Sequence, residues 1–176
     1  MGGGQPGDTG TIGGEGVIDT RYGDSEKTIV HHLLQHPTNL KMGQRVQCQI
    51  DWERRYRHMR LHSLIHIVGM LFEQKYGEPK CIGSNISDKG RIDYEYFHPI
   101  DLEWLQKGTE KLISEDHEIQ TYGYSDDDER RIWEMQPLGT MFCGGTHVRT
   151  STEIGKIALK RKSLGKQGQR IYAEIV

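Results

Sequence analysis

The chain has 176 residues, enough for one ordinary domain or a domain with a small appendage. Its formal net charge of −2 singles out no class of partner, although basic residues cluster locally. The three cysteines, Cys48, Cys81 and Cys143, form no disulfide framework, no signal-peptide pattern is present, and no apolar run approaches the ~20 residues that span a bilayer, so a soluble chain in a reducing, cytoplasmic compartment is expected.

Residues 1–16 are rich in glycine, which permits positive φ and close backbone approach. A flexible tail is the bland alternative, but Gln5-Pro6-Gly7-Asp8 is not linker composition. Residues 11–51 are short and β-like. Strands are expected at 16–19, 28–33 and 45–50, with turns at Gly23-Asp24 and Pro37-Thr38-Asn39. Several short strands in succession predict a small barrel or curled sheet. His31, His32 and His36 are read as strand and loop histidines, because no cysteine or carboxylate stands at matching spacing.

Residues 51–76 predict a long helix, capped by Asp51 and stopped by Gly77 and Pro79. Arg54, Arg55, Arg57 and Arg60 cluster in its first turns. From 61 to 72 it is apolar on most of its circumference, so that part is expected to be buried, His62 and His66 included. Gly69 would let another backbone approach. Residues 81–97 read as a hairpin turning at Asp88-Lys89-Gly90, and Pro99-Ile100-Asp101 opens a second helix running to about Asp116. A strand is expected at 118–124. Residues 126–133 read as a short helix whose acidic-to-basic order suits the helix dipole. A last hairpin pairs 156–159 with 170–175 around Gly165-Lys166-Gln167-Gly168. Its basic residues, among them Lys160, Arg161, Lys162 and Lys166, suit a polyanion as well as ordinary solvated surface.

The chemistry concentrates in two stretches. His62 and His66 are four residues apart, so on a helix both imidazoles share one face. The metalloprotease version of this pair carries a glutamate between the histidines; here Ser63, Leu64 and Ile65 stand there, so that reading fails. The second stretch is Cys143-Gly144-Gly145-Thr146-His147. Each pair alone is a weak signal, but three histidines and a cysteine make the N/S ligand set that zinc prefers, in a tetrahedral count. Four ligands taken literally make a closed structural site, whereas catalysis needs an open position. Spacing leaves both open.

Gly2-Gly3-Gly4-Gln5-Pro6-Gly7-Asp8, the histidine pair with the residues 51–60 before it, the cysteine stretch and Thr152-Glu153-Ile154-Gly155, taken in that order, resemble the editing domain of alanyl-tRNA synthetase. The closer likeness is to the free-standing AlaX proteins, of the medium-length type, and residues 163–173 resemble the end of the second additional domain shared with threonyl-tRNA synthetases. The resemblance implies trans-editing: hydrolysis of the ester of tRNA(Ala) mischarged with serine, or in some members glycine. It implies Zn2+ held by His62, His66, Cys143 and His147, and places Gln5 at the editing pocket. Ser63, where many relatives carry threonine, is a candidate partner for the serine hydroxyl by its position beside His62. Arg54, Arg55, Lys160 and Arg161 are candidate tRNA contacts. The implied fold class is α+β: a small N-terminal β-barrel in residues 1–50, then a zinc-binding α/β editing domain in 51–176 with the long helix and a second-additional-domain-like sheet. The family's barrel begins upstream of the glycine-rich motif, which here follows Met1 directly; a truncated barrel and a displaced segment at 2–5 are therefore expected. The rival readings are a non-catalytic tRNA-binding module with a structural zinc, and a zinc hydrolase of small esters or amides.

Overall fold

A computed structural model describes residues 4–23, 29–34, 39–125 and 128–176. The expected long helix forms as α1, Trp52–Tyr76. Asp51 Oδ1 accepts from the Arg54 N–H at 3.2 Å, which satisfies one of the donors that a helix start leaves free. At the other end Gly77 takes φ +80° and its N–H returns to Glu73 O at 2.9 Å. The chain divides into two compact units, Pro6–Arg57 and His58–Val176, the second joined by Gly4 and Gln5. Among the described residues no helix is long and apolar enough to cross a membrane.

In the first unit β1 (Gly10–Ile12), β2 (Glu15–Tyr22), β3 (Ile29–Leu33) and β4 (Cys48–Ile50) form one antiparallel sheet in the order β3-β2-β1-β4. The expected barrel is not found. Closure would need β3 and β4 to pair with each other, and among the described residues they remain separate edges, β4 with only three residues to offer. His31 and His32 lie exposed on β3, while His36 and the turns expected at Asp24 and at Pro37-Thr38 fall outside the described residues. Two arginines at the start of α1 are engaged within this unit. Arg54 Nη1 donates to Gly7 O at 2.6 Å, and Arg55 forms a two-pronged ion pair with Asp8.

The second unit holds the core. β5 (Cys81–Ile86) and β6 (Gly90–Tyr94) make the expected hairpin. α2 (Leu102–Ser114) is capped by Asp101, whose side chain accepts from the Trp104 N–H at 3.0 Å. β7 (Ile119–Ser125), β8 (Asp128–Met135) and β9 (Gly139–Phe142) form a three-stranded antiparallel meander. β10 (Ile157–Ser163) and β11 (Gln169–Ile175) form the final hairpin, and β11 pairs with β6 to give the order β10-β11-β6-β5. The helix expected at 126–133 is corrected: residues 128–133 lie in β8, and 126–127 are outside the described residues. β8 pairs on both edges, Ile132 with Tyr122 on one side and with Phe142 on the other. Trp133 and Met135, both fully buried, alternate with half-buried Ile132 and Glu134. Two ladders and a period-2 core outweigh a dipole preference of about 0.3–1 kcal/mol.

α1 packs on the inner face of the β10-β11-β6-β5 sheet. Phe72 stacks on Tyr94 with ring centroids 4.4 Å apart. Gly90 lies so close under Ile65 that a Cβ there would overlap its Cγ2. The gap at Gly69 is filled by a side chain rather than the backbone expected: the Tyr94 hydroxyl reaches Gly69 O at 3.4 Å and Glu73 Oε1 at 3.1 Å. α2 secures the outer edge of β10 through one residue. Gln106 accepts from the Leu159 N–H at 2.7 Å and donates to Ile157 O at 3.0 Å.

Candidate metal centre

His62 and His66 come from the buried third and fourth turns of α1, and their rings stack 4.7 Å apart, as residues one turn apart do. Cys143 follows β9 directly, its N–H continuing the ladder to Arg131 O at 2.9 Å. The loop then turns through Gly144 and Gly145 and returns His147 to the same place. Gly145 allows this approach, since a Cβ there would fall on the His62 ring. Val148 then anchors the loop by donating its N–H to Ser63 Oγ at 3.3 Å.

The four expected side chains converge. The ligand atoms of His62, His66, Cys143 and His147 all lie within 4.8 Å of one another. Cys143 Sγ stands 3.4 Å from His62 Nε2, 3.2 Å from His66 Nε2 and 3.3 Å from His147 Nε2. A tetrahedral zinc with Zn–N near 2.1 Å and Zn–S near 2.3 Å has N···S edges of about 3.6 Å, so the cluster needs little movement to close on an ion. His62, Cys143 and His147 are buried, and His66 packs against the Trp133 ring at 5.1 Å.

Two of the imidazoles have a hydrogen-bond partner on the side away from the cluster. Gln5 Oε1, an acceptor only, lies 2.9 Å from His62 Nδ1, so that nitrogen carries the proton and Nε2 presents its lone pair to the cluster. Ser63 Oγ lies 3.2 Å from His147 Nδ1 and holds that ring by a hydrogen bond that either atom can donate. Nε2 of His62, His66 and His147 all lie beside the one sulfur, where a cation seated among them would take a bond from each. Burial holds all three imidazoles in the neutral, ligating form: it lowers His62 to about 4, and pushes His66 and His147 well below the ordinary histidine value, with the neighbouring histidines adding to the shift. The Cys143 thiol is raised by burial, against an opposing bond from the Gly145 N–H. This donor set fits a zinc-type ion.

Gln5 joins the glycine-rich stretch to both halves of the cluster. Besides its contact with His62, its Oε1 accepts from the Thr146 N–H at 3.0 Å and its Nε2 donates to Thr146 Oγ1 at 2.7 Å. Gly4 O accepts from the Ile86 N–H at 3.3 Å. The displacement expected for residues 2–5 is thus corrected at Gly4 and Gln5, where backbone and side-chain bonds hold the segment; residues 1–3 lie outside the described residues. Ser63, read from sequence as a contact for a substrate hydroxyl, is fully buried behind His147, its oxygen bonded to His147 Nδ1 and to the Val148 N–H. Thr146 and Trp133 were not foreseen as site residues; for Thr146 the available signal was its place between the second glycine and His147.

Of the expected polyanion contacts, Arg54 and Arg55 are occupied by Gly7 and Asp8. Lys160 pairs with Glu174 at 3.1 Å, and Arg161 Nη1 donates to Gln169 Oε1 at 2.7 Å.

Residues 131–172, from within β8 through the cysteine loop into β11, match the second additional domain of threonyl and alanyl tRNA synthetases. That match places this part of the chain in a domain class shared by those synthetases. The chain is 38% identical to the alanyl-tRNA editing protein AlaX-M of Pyrococcus horikoshii, over 97% of this chain and 79% of the relative. It is 31% identical to AlaX-M of Methanosarcina acetivorans, over 97% of this chain and 82% of the relative. An alanine–tRNA ligase of Saccharolobus islandicus is 29% identical over 90% of this chain, which corresponds to 21% of the ligase. The chain belongs to the AlaX family of free-standing alanyl-tRNA editing proteins.

Proposed function

We propose that this protein is a trans-editing hydrolase that deacylates Ser-tRNA(Ala), and also Gly-tRNA(Ala), with Zn2+ in the His62-His66-Cys143-His147 cluster and the cytoplasm as its compartment. The single observation that carries the reading is the Gln5 side chain, which binds a ligand histidine and the Cys-Gly-Gly-Thr-His loop at once. A purely structural zinc needs no such bridge from the glycine-rich stretch. When bound, zinc would supply Lewis acidity toward water or an ester oxygen, or a fixed point for the substrate amine. The chain's own residues do the rest. An aminoacyl ester is already activated, so a positioned water and a donor for the developing oxyanion suffice. Gln5 and Thr146 are the polar groups set beside the cluster, and rejecting alanine calls for a site that loses a hydrogen bond when the serine hydroxyl is missing. Ser63 acts through His147, holding its ring. Lys160 and Arg161 are the RNA contacts of the second unit in this reading.

The test is release of the amino acid from Ser-tRNA(Ala), Gly-tRNA(Ala) and Ala-tRNA(Ala), using the intact chain and Cys143→Ala and Gln5→Ala variants of confirmed fold. Loss of serine and glycine but not alanine, slowed at least about tenfold in both variants, is expected. The closed four-donor set favours a second reading, a non-catalytic tRNA-binding module with structural zinc. Tight tRNA binding with no deacylation by the intact, zinc-loaded chain would establish it.

A further inference from the structure

At the end of the β10-β11-β6-β5 sheet, the face that elsewhere forms the core runs out beyond its helical cover. Ile157 and Leu159 of β10 point into the core, and the period of two puts Arg161 and Ser163 on the same face. Arg161 stands opposite Ile171, and Ser163 opposite Gln169. Arg161 is exposed at this open end, so its guanidinium is accessible to an anion from solvent. Among the described residues no carboxylate pairs with Arg161; its partner is the neutral Gln169 amide, at 2.7 Å. Gln169, itself buried, uses its other end to donate to His98 O at 2.6 Å. One amide therefore holds the guanidinium and the 97–100 turn at a set separation.

Between them lies a cleft of about 400 Å³, within the range of roughly 300–1,000 Å³ for small-ligand sites. Phe97, His98, Arg161, Ser163, Gly165 and Gly168 line it, and among the described residues no Asp or Glu does. Phe97 is 60% exposed and, among the described residues, packs on no other ring, whereas its neighbours Tyr96 and His98 pack edge to face at 5.5 Å. The 165–168 turn is drawn tight against β6, because a Cβ on Gly168 would overlap Tyr94 O and meet Tyr96 N at 2.9 Å. An unpartnered aromatic face, an arginine without a carboxylate and a wall free of acid together define a site for a planar base that carries phosphate.

We propose that this cleft binds one unpaired nucleotide of single-stranded RNA, its base stacked on Phe97 and its phosphate on Arg161. The inference rests on the reading of the chain as an RNA-directed editing protein and names a place where that RNA is held. It is tested by fluorescence anisotropy with a labelled single-stranded RNA of about eight nucleotides, titrated at several salt concentrations. Phe97→Leu, Phe97→Tyr, Arg161→Gln and the remote Lys107→Gln are compared with the parent at matched unfolding temperature and zinc content. Phe97→Leu should weaken binding about tenfold and Phe97→Tyr restore it. Arg161→Gln should weaken binding and reduce the salt slope by about one, with Lys107→Gln near the parent. Parent-like binding by Phe97→Leu, equal losses at Lys107, or no RNA binding by the parent would overturn the proposal. Inhibition by AMP equal to that by the oligonucleotide, nucleotide for nucleotide, would reassign the cleft to a free nucleotide and overturn the RNA assignment. Deacylation of Ser-tRNA(Ala) by the parent is read separately. RNA held through Phe97 without deacylation sinks the hydrolase and keeps the cleft; deacylation indifferent to Phe97 and Arg161 does the reverse.

Discussion

Ser63 carries no charge and touches no solvent, yet two bonds in the centre depend on its oxygen: the one to His147 Nδ1 and the one from the Val148 N–H. Ser63→Ala leaves both nitrogens buried without their partner. The expected cost is about 1–3 kcal/mol of stability, read by chemical denaturation, and about 10–100-fold in zinc affinity, read by competition with a chelating dye. Unchanged zinc affinity in a folded variant would remove Ser63 from the support of the centre. Gly145 is as demanding for a steric reason. A methyl group there collides with the His62 ring and approaches Gln5 Oε1 at 3.1 Å. Gly145→Ala should therefore lower zinc affinity and deacylation together, whereas Gly144→Ala, with nothing within 4 Å of its new Cβ, should leave zinc affinity intact. The four candidate ligands were legible from residue type and spacing, and the fold brings them together. The roles of Ser63 and Gly145 were not, because both depend on which atom of a distant side chain faces them.

α1 was the most legible element, since its cap, its stop and its all-round apolar segment are written in consecutive residues. What it packs on was not. The contact between α1 and β6 joins Phe72, Glu73 and Tyr94, more than twenty residues apart. Burial raises the Glu73 carboxyl above its ordinary value; the Tyr94 hydroxyl bond works against this, and Glu78 adds to it. In the unfolded chain Glu73 ionises near 4.5, and in the folded chain it does so at higher pH. Between the two values the folded state binds the extra proton, so this group's contribution to stability declines as pH rises from 4.5 through the folded value. Glu73→Gln keeps an acceptor for Tyr94 and removes the titration. Its Tm should match the parent near pH 4 and exceed it at pH 7; a difference independent of pH would show that the effect is packing. The misread element was β8. Its local charge order favours a helix end, and only its two flanking strands make it a strand.

For the molecule, the centre ties α1 to β9, and Gln5 adds the glycine-rich stretch to the same cluster. Removing the ion leaves buried imidazoles facing one thiol, a polar group without enough partners, so stability should drop when zinc is stripped. Dialysis against a strong chelator is expected to lower Tm by more than about 5 °C, and zinc, but not magnesium, to restore it. A metal-free chain with unchanged Tm would mean that the cluster is held without an ion. Sequence alone determined the elements whose signals are local: the capped helix, the hairpins marked by turn residues, and a ligand set recognisable by residue type and order. Tertiary structure decided what depends on separations of dozens of residues. It left the β3-β2-β1-β4 sheet open, made a strand of 128–133, placed Ser63 behind His147, spent Arg54 and Arg55 on Gly7 and Asp8, and set Phe97 beside Arg161. The physical reason is the same in each case. A helix cap or a turn is satisfied within four residues, but an edge strand, a buried hydroxyl or a guanidinium is satisfied by whichever partner the fold brings to it.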